Sequence, residues 1–453
     1  MFWHNIALAV TTISASLLIA PVAKADRVLY DLPPDGPRTL NGTKFDGPIF
    51  RFQTALSKSL KACGKNRAAA RARPDGIYGA GTRNGIRALQ DCEGFRNVIS
   101  NGAITESLYE KLLPGEALPS SFDRAMTLTL HLEGTDFDEP EFNFCQSSPK
   151  GEISSPENSV RVKGRRKAGL FADLTTSEIV ACFSNDRRSY LTWGPFGATA
   201  GHGAEVQRIL FFIDQADKTL LNDAFGEATA KVLRSIISLR KRAVQARLCP
   251  IYLNEASTSA LRAGFANLAK SDIARSIFIR VFLHPEMPAG RIGEYTAMYD
   301  RLGIEPSELD IAFFLDRAVH MGPRREDLVN LADQIRIDAG NGPLPSHAEI
   351  RRSIAQQIRP SNQRRDRLGR DVVYYVDSYI PDQLSRDEQE AWQERTSGLK
   401  ASSAGLSDDW QPQIEDFQPI DISPTYTGNR TTPTAEELAA CPGPIMSPRN
   451  PTR

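Results

Sequence analysis

The stretch 205–358 constrains the fold of this chain most strongly, because almost all of it has apolar residues at helical spacing. The segment 306–322 shows the pattern in full. It has a proline at its start, a glycine at its end, and an apolar stripe that includes Ile311 and Phe314. The sequence has no internal repeats. It therefore predicts a mainly α protein whose largest domain is a helical region at 120–358.

Charge and composition exclude several classes of protein. The 453 residues include 55 lysines and arginines against 55 aspartates and glutamates, whereas nucleic-acid binders usually have a basic excess. The neutral balance gives no reason to expect a polybasic membrane-surface protein either. With 41% hydrophobic residues, the chain is too apolar to be disordered throughout. Its length suggests two or three domains.

The first 25 residues have the pattern of a cleavable signal peptide. An apolar run reaches Leu17-Leu-Ile-Ala20, and Ala23-Lys24-Ala25 forms an A-x-A cleavage site before Asp26. The pattern departs from the usual one because no lysine or arginine precedes the run. An uncleaved anchor is the alternative, although the run is short for a spanning helix. We expect a periplasmic or secreted protein with no stable membrane insertion after cleavage.

All six cysteines lie beyond the predicted cleavage site, and their number is even. In an exported protein this favours disulfides. A zinc site is the alternative, but no C-x-x-C occurs and no histidine lies at ligand spacing beside a cysteine. We expect no metal and no cofactor. Six cysteines allow many pairings, of which we expect the nearest neighbours: Cys63–Cys92, Cys145–Cys182 and Cys249–Cys441.

A first compact unit, 45–115, follows a Pro/Gly-rich leader at 26–44. Apolar spacing predicts helices near 49–60, 83–90 and 105–113, the last with Thr105 as its N-cap. The loop before the second helix carries Gly76, Gly79 and Gly81, which permit tight turning, and Thr82, which we expect to cap that helix.

The motif Asp75-Gly-Ile-Tyr-Gly-Ala-Gly-Thr-Arg83, followed by Ile86-Arg-Ala-Leu-Gln90, resembles the small three-helix peptidoglycan-binding domain found on many wall-acting enzymes. The resemblance extends to Gly102-Ala-Ile-Thr105, at the start of the last helix. It implies a shallow groove for peptidoglycan, with Tyr78 as a substrate-binding candidate. The Cys63–Cys92 disulfide would staple this unit, whose core is small. A structural helix–loop–helix without a ligand is the alternative.

The central domain opens with the segment 121–133, which ends at Glu133 and Gly134. The alternation Thr127-Leu-Thr-Leu-His-Leu132 alone suggests a strand. Phe122 and Met126 also fit a helical stripe, so we predict a helix that Gly134 ends. A polar, acidic loop follows at 136–166.

Three segments of this domain together resemble the lysozyme-like superfamily, whose chitosanase and lytic-transglycosylase branches are the nearest. Glu133 stands where that superfamily places its acid. Thr192-Trp-Gly-Pro-Phe-Gly-Ala-Thr-Ala-Gly201 looks like its Gly/Thr-rich β-hairpin, and Asp316-Arg-Ala-Val-His-Met-Gly322 resembles a late core helix. The resemblance implies that Glu133 acts as general acid with Thr199 beside it. The implied substrate-binding residues are Trp193, Phe196 and His202.

Glycan cleavage ordinarily needs a second group beside the acid. In the chitosanase-like pattern an aspartate precedes the Gly-x-Thr-Ala-Gly run, but Gly194 and Pro195 stand there in this chain. A lytic-transglycosylase mechanism does not require the second carboxylate, because one glutamate acts first as acid and then as base. The substitutes for the aspartate are Asp173, Glu178, Asp186 and Glu205.

Other wall-acting chemistries lack their motifs. No His-Gly-Cys, H-x-H, H-E-x-x-H or K-T-G occurs, and the histidines are His4, His131, His202, His284, His320 and His347. Simpler roles remain open for the candidates. Glu133 fits a surface carboxylate, Trp193 and Phe196 fit core packing, and Thr199 fits a turn cap. Asp316 and His320 fit a buried hydrogen bond that supports the fold.

We therefore expect a periplasmic enzyme that binds peptidoglycan and cleaves its glycan strand, as a muramidase or lytic transglycosylase. The alternative is a non-catalytic peptidoglycan-binding or scaffold protein of the cell envelope. Beyond residue 358 the composition becomes Arg/Asp-rich and then Ser/Pro/Thr-rich, with one short helix at 386–395. We expect 359–453 to form a partly irregular C-terminal extension.

Overall fold

A computed structural model describes residues 26–96, 100–142, 191–201, 204–252, 254–284, 286–287, 289–320, 322, 324–358, 364–412, 428 and 430–440. These residues form eighteen α-helices and seven short strands, so the predicted mainly α fold class is confirmed. Among the helices in these ranges, none is both long and apolar enough to cross a bilayer. The predicted signal peptide lies outside the described residues.

The N-terminal unit contains, in order, β1 (Val28–Tyr30), β2 (Thr39–Asn41), α1 (Pro48–Ala62), α2 (Asn66–Arg71), β3 (Ile77–Gly79), α3 (Ala80–Leu89), β4 (Ile104–Thr105) and α4 (Glu106–Leu112). Strand β1 pairs antiparallel with β4, and β2 pairs antiparallel with β3. The predicted leader, 26–44, supplies β1 and β2, so it folds together with the unit. Helices α1, α3 and α4 are the three expected from the sequence, and α2 is an additional short one.

Local signals explain most of these boundaries, with one correction. Helix α1 has Pro48 in its first turn, and the Thr105 hydroxyl accepts a hydrogen bond from the Leu108 amide, which confirms Thr105 as an N-cap. Thr82 does not cap α3, because the N-cap is Gly79 and Thr82 lies inside the helix. The buried Thr82 hydroxyl instead accepts a hydrogen bond from Gln53 Nε2 at 2.9 Å.

The Cys63–Cys92 disulfide is present, as predicted, and joins the end of α1 to the turn after α3. No described cysteine is free, and Cys249 is also disulfide-bonded. The expected partner of Cys249, which is Cys441, and the expected pair Cys145–Cys182 lie outside the described residues.

Next along the chain come α5 (Ser121–Glu133) and a three-stranded antiparallel sheet made of β5 (Glu141–Phe142), β6 (Leu191–Trp193) and β7 (Ala198–Thr199). Helix α5 begins with a capping box between Ser120 and Asp123. It ends at Gly134, whose φ of +70° is the left-handed conformation predicted for a helix stop. The interpretation of 121–133 as a helix is therefore confirmed.

The rest of the central region is helical. One of its helices, Glu308–His320, carries most of the predicted 306–322 segment and contributes Asp316 and Arg317 to the site. The ten helices are α6 (Glu205–Ala216), α7 (Leu220–Phe225), α8 (Glu227–Ile236), α9 (Arg242–Tyr252), α10 (Glu255–Leu268), α11 (Asp272–Phe282), α12 (Ile292–Leu302), α13 (Glu308–His320), α14 (Arg325–Ala339) and α15 (His347–Gln357).

Much of the predicted C-terminal extension belongs to the folded body. It contains α16 (Arg364–Val372), α17 (Arg386–Thr396) and α18 (Ala435–Ala439), and the segment 372–376 is buried. Short 3₁₀ turns lie between α16 and α17, and another, at 401–404, follows α17. Buried apolar residues form one cluster that runs from Leu29 to Leu406, so the N-terminal unit, the central helices and the 364–406 segment share a core.

Candidate functional site

Glu133 is the last residue of α5, immediately before the left-handed Gly134. Its side chain is 25% exposed, and its Oε1 lies 2.7 Å from Arg370 Nη2 on α16. The side chain of Arg370 is only 6% exposed. The carboxylate is thus paired with a buried guanidinium, while a quarter of the Glu133 side chain is exposed.

Behind Glu133 lies a cluster of buried charges, the arginine network, which consists of Glu133, Asp316, Arg317, Arg367, Arg370 and Asp371. Asp316 accepts hydrogen bonds from both Arg367 and Arg370. Arg367 Nε lies 2.9 Å from Asp371 Oδ1, and Arg317 Nη1 lies 2.7 Å from the same oxygen. Three carboxylates face three guanidiniums, so the network carries no net charge.

The network determines the ionisation of the groups within it. Burial alone raises the pKa of Asp316, but Arg367 and Arg370 outweigh it and hold that pKa well below its ordinary range. Burial, together with the positive charges of Arg370 and Arg367, lowers the pKa of His320 to about 3. His320 is therefore neutral at neutral pH, and Asp316 is ionised. Asp316 supports the fold through the arginines, and no hydrogen bond to His320 is needed for that role.

The C-terminal end of α5 lies beside the β6–β7 hairpin. The Thr135 hydroxyl lies 3.4 Å from the Gly194 carbonyl oxygen. Gly194 has a φ of +79°, and a β-carbon at this position would lie 2.5 Å from the ring of Phe278. Only glycine fits this close approach without a shift of the ring.

Two predicted residues come together at the other end of the hairpin. The Glu205 Oε2 atom accepts hydrogen bonds from the Thr199 amide at 3.0 Å and from the Thr199 hydroxyl at 2.5 Å. Glu205 lies in the first turn of α6, where a helix dipole favours a carboxylate. Thr199 therefore joins strand β7 to α6. The substitutes Asp173, Glu178 and Asp186, and the predicted substrate contact His202, lie outside the described residues.

The aromatic residues of the hairpin are buried. Trp193 and Phe196 are 1% and 5% exposed. Trp193 Nε1 donates a hydrogen bond to the Phe137 carbonyl at 2.5 Å, and the indole packs 5.1 Å from the ring of Phe278. Phe196 packs 5.2 Å from Phe282. Both rings belong to the core and present no free face on which a sugar could stack.

Tyr78 is also buried, since its exposed fraction is 0%. Its hydroxyl donates to the Gly102 carbonyl at 2.7 Å, and the oxygen lies 3.1 Å from Asp31 Oδ1. These contacts tie β3 to the segment before β4 and to the leader. Tyr78 therefore has a structural role in the sequence motif.

The N-terminal unit has a groove of about 400 Å³, whose location and lining residues were not predicted from the sequence. It lies between α2 and α3, with Gly85 and Ala88 on its floor. Among the described residues, the side chains of Arg67, Arg71 and Asn84 have no hydrogen-bonding or ionic partner. Only the clustering of basic and amide residues at 65–71 signals this groove in the sequence. The polar residues around it are Lys65, Asn66, Arg67, Arg71 and Asn84.

Within the described part of the chain, one group of side chains has metal-ligand chemistry: Asp310, His347 and Asp408, whose donor atoms lie within 4.8 Å of one another. The guanidinium of Arg351 already occupies the space between the two aspartates. It lies 2.6 Å from Asp310 Oδ1 and 2.7 Å from both oxygens of Asp408. His347 donates to the remaining oxygen of Asp310. This group is a satisfied hydrogen-bond network, and we assign no metal to it.

No protein-family model matches this chain, and no curated protein or solved structure shows significant similarity to it.

Proposed function

We propose that this protein is exported, binds peptidoglycan and cleaves its glycan strand, with Glu133 as the catalytic carboxylate. The observation that carries the proposal is the anchoring of Glu133. It is the most exposed member of the arginine network, and its partner Arg370 is fixed by the buried Asp316. A reactive group is most effective when its supporting residues are themselves held by packing and hydrogen bonds.

The proposed mechanism uses one carboxyl group that gives up a proton and then takes one back. In the first step Glu133 donates its proton to the glycosidic oxygen while the bond from that oxygen to the sugar C1 breaks. The carboxylate that remains faces Arg370 at 2.7 Å, which stabilises its charge. Glu133 then removes a proton from a water molecule or from the 6-hydroxyl of the same sugar as that oxygen attacks C1. A single carboxylate thus completes either reaction.

Digestion of purified sacculi tests the catalytic role. We expect wild type to release muropeptides and Glu133→Gln to release them at least about 100-fold more slowly, which is the usual loss on removal of a general acid. The matched control is Glu139→Gln, because Glu139 lies six residues away and is 52% exposed. Mass spectrometry separates anhydro from reducing products. Equal release by wild type and Glu133→Gln would exclude Glu133 from the chemistry.

A non-catalytic wall-binding protein is the second candidate. It is favoured by the burial of Trp193, Phe196 and Tyr78, which removes the three aromatic contacts expected for a sugar. In this case binding would rest on the groove between α2 and α3, whose guanidiniums suit the carboxylates of peptidoglycan stem peptides. Wild type would then bind sacculi without releasing muropeptides. Arg67→Gln/Arg71→Gln would weaken sedimentation with sacculi, and Arg73→Gln would not.

Export is a separate part of the proposal. Asp26, the first residue after the expected cleavage site, accepts hydrogen bonds from the amide and hydroxyl of Ser107. Processing before Asp26 would leave this contact intact. N-terminal sequencing of the periplasmic fraction should therefore begin at Asp26, and recovery of the intact chain from the cytoplasm alone would contradict export.

A further inference from the structure

A second cavity, of about 490 Å³, lies where the leader loop 36–39 meets the C-terminal ends of α5 and α17. We call it the leader pocket. The residues that matter in its lining are Arg38, Thr39, His131, Arg395 and Ser397, and none of its lining residues is acidic. The pocket is separate from the groove between α2 and α3 and shares no residue with the arginine network.

The two arginines of the leader pocket have few partners of their own. Arg38 is exposed and, among the described residues, makes no hydrogen bond or ion pair through its side chain. Arg395 has only a long contact, 3.9 Å from its Nε to Asp366 Oδ1. Arg395 lies in the last turn of α17, where the helix dipole by itself favours a cation. No such local reason exists for Arg38, which lies on a loop.

His131 adds a third donor. Its Nδ1 accepts a hydrogen bond from the Asn41 amide at 3.2 Å. Burial lowers the pKa of His131, so the ring is neutral at neutral pH and its one proton lies on Nε2. That N–H has no partner within the described part of the chain. Thr39 and Ser397 also line the pocket.

The backbone at the rim is also unusual. Ser397 has a φ of +54°, a left-handed conformation that residues other than glycine rarely adopt. Ser397 adopts this conformation where α17 ends, immediately before Gly398. Ser397 lines the pocket next to Arg395 and Thr396.

We propose that the leader pocket binds one oxyanion group, a carboxylate or a phosphate, carried by a ligand of monosaccharide size. Guanidinium groups bind such groups through paired charge-assisted hydrogen bonds, and an imidazole N–H and hydroxyls add further donors. The lining contains two cations and no acidic side chain, so its charge favours an anion. The ligand class follows from this donor set and does not depend on glycan cleavage.

Isothermal titration calorimetry at constant ionic strength tests the proposal. The probes are inorganic phosphate and N-acetylmuramic acid, which supplies a carboxylate, with neutral N-acetylglucosamine as the uncharged comparison. We expect wild type to bind at least one charged probe at one site. Arg38→Gln and Arg395→Gln should each raise the dissociation constant by about tenfold or more, as expected for loss of a charged hydrogen bond. The relative affinities of the two charged probes identify the source of the oxyanion.

The matched control is Arg73→Gln, because Arg73 is an exposed arginine of the same unit that does not line the pocket. All three substituted side chains are exposed, so each variant should keep the wild-type melting temperature. The proposal is overturned if neither charged probe saturates, if N-acetylglucosamine binds as well as they do, or if Arg73→Gln weakens binding as much as Arg38→Gln. Because the readout is binding of small probes, inactivity on sacculi leaves this result unaffected.

Discussion

Substitution of Asp316 by asparagine should destabilise the protein far more than the same change at Asp333. Both aspartates are paired with arginines, and the change keeps the shape of the side chain. Asp316 is fully buried between Arg367 and Arg370, whereas Asp333 and its partner Arg301 are about half exposed. The difference between the two variants isolates the effect of burial.

The magnitude follows from what each arginine keeps. Loss of one partner from a buried ion pair costs about 3–5 kcal/mol, because the remaining charge is left without compensation. In Asp316→Asn, Arg370 still has Glu133 at 2.7 Å and Arg367 still has Asp371 at 2.9 Å. We therefore expect a loss near the lower limit, about 3 kcal/mol.

Asp333 provides the control with the same chemistry. Its two oxygens lie 2.6 and 2.8 Å from Arg301 Nε and Nη2, a good bidentate geometry. Water solvates both groups when the pair is broken, so exposed pairs contribute little. Asp333→Asn should shift the unfolding midpoint by no more than other surface substitutions do.

Urea unfolding followed by tryptophan fluorescence measures both variants, since Trp193 and Trp392 are buried. At an m-value of about 3 kcal/mol/M, Asp316→Asn should lower the midpoint by about 1 M with the slope unchanged. If the two variants lose equal stability, the buried charges do not depend on one another and the reasoning is wrong.

Three further predictions concern stability. Because the pKa of His320 is about 3 in the folded chain and near 6.5 when unfolded, the unfolded state binds more protons between these values. Stability should therefore fall as the pH falls from 6.5 towards 3, by at most about 1.4 kcal/mol per pH unit, and His320→Gln should flatten this slope in urea midpoints. Gly405→Ala should lower the free energy of unfolding by more than about 1 kcal/mol and so lower the melting temperature. The reason is that φ is +63° and a β-carbon would overlap the Val28 carbonyl oxygen. Cys63→Ala/Cys92→Ala should cost about 3–4 kcal/mol, as the disulfide closes a separation of 29 residues.

Each of these predictions has a result that contradicts it. A pH slope that is the same in wild type and His320→Gln would show that other groups produce it. A wild-type melting temperature for Gly405→Ala would mean that the contact with β1 is loose. Equal urea midpoints with and without the disulfide would show that the cross-link does not stabilise the folded chain.

The parts of the fold with local signals were predictable from the sequence. Thr105 and Gly134 act on backbone groups within one helical turn, so their types and spacing predict where α4 begins and where α5 ends. The Cys63–Cys92 pair followed from proximity in the sequence.

The failures share a physical cause, which is that the decisive partner is distant in the sequence. Thr82 has the residue type and the position of a cap, but Gln53 on α1 binds its hydroxyl. Trp193 and Phe196 lie on a hairpin, and the alternation of its residues does not show which of its two faces is buried. The face that carries these two rings is covered by Phe278 from α11.

The Arg/Asp-rich text after residue 358 illustrates the same limit and bears on the proposed function. Such composition predicts a solvated, irregular segment, yet Arg367 and Asp371 are fully buried because Asp316 and Arg317, on a helix more than forty residues earlier, neutralise them. Buried ion pairs of this kind are often no more stabilising than apolar residues of the same volume. Stability alone therefore gives little reason for a chain to bury them. The proposed role of Glu133, the most exposed member of the network, would give a reason that core packing does not.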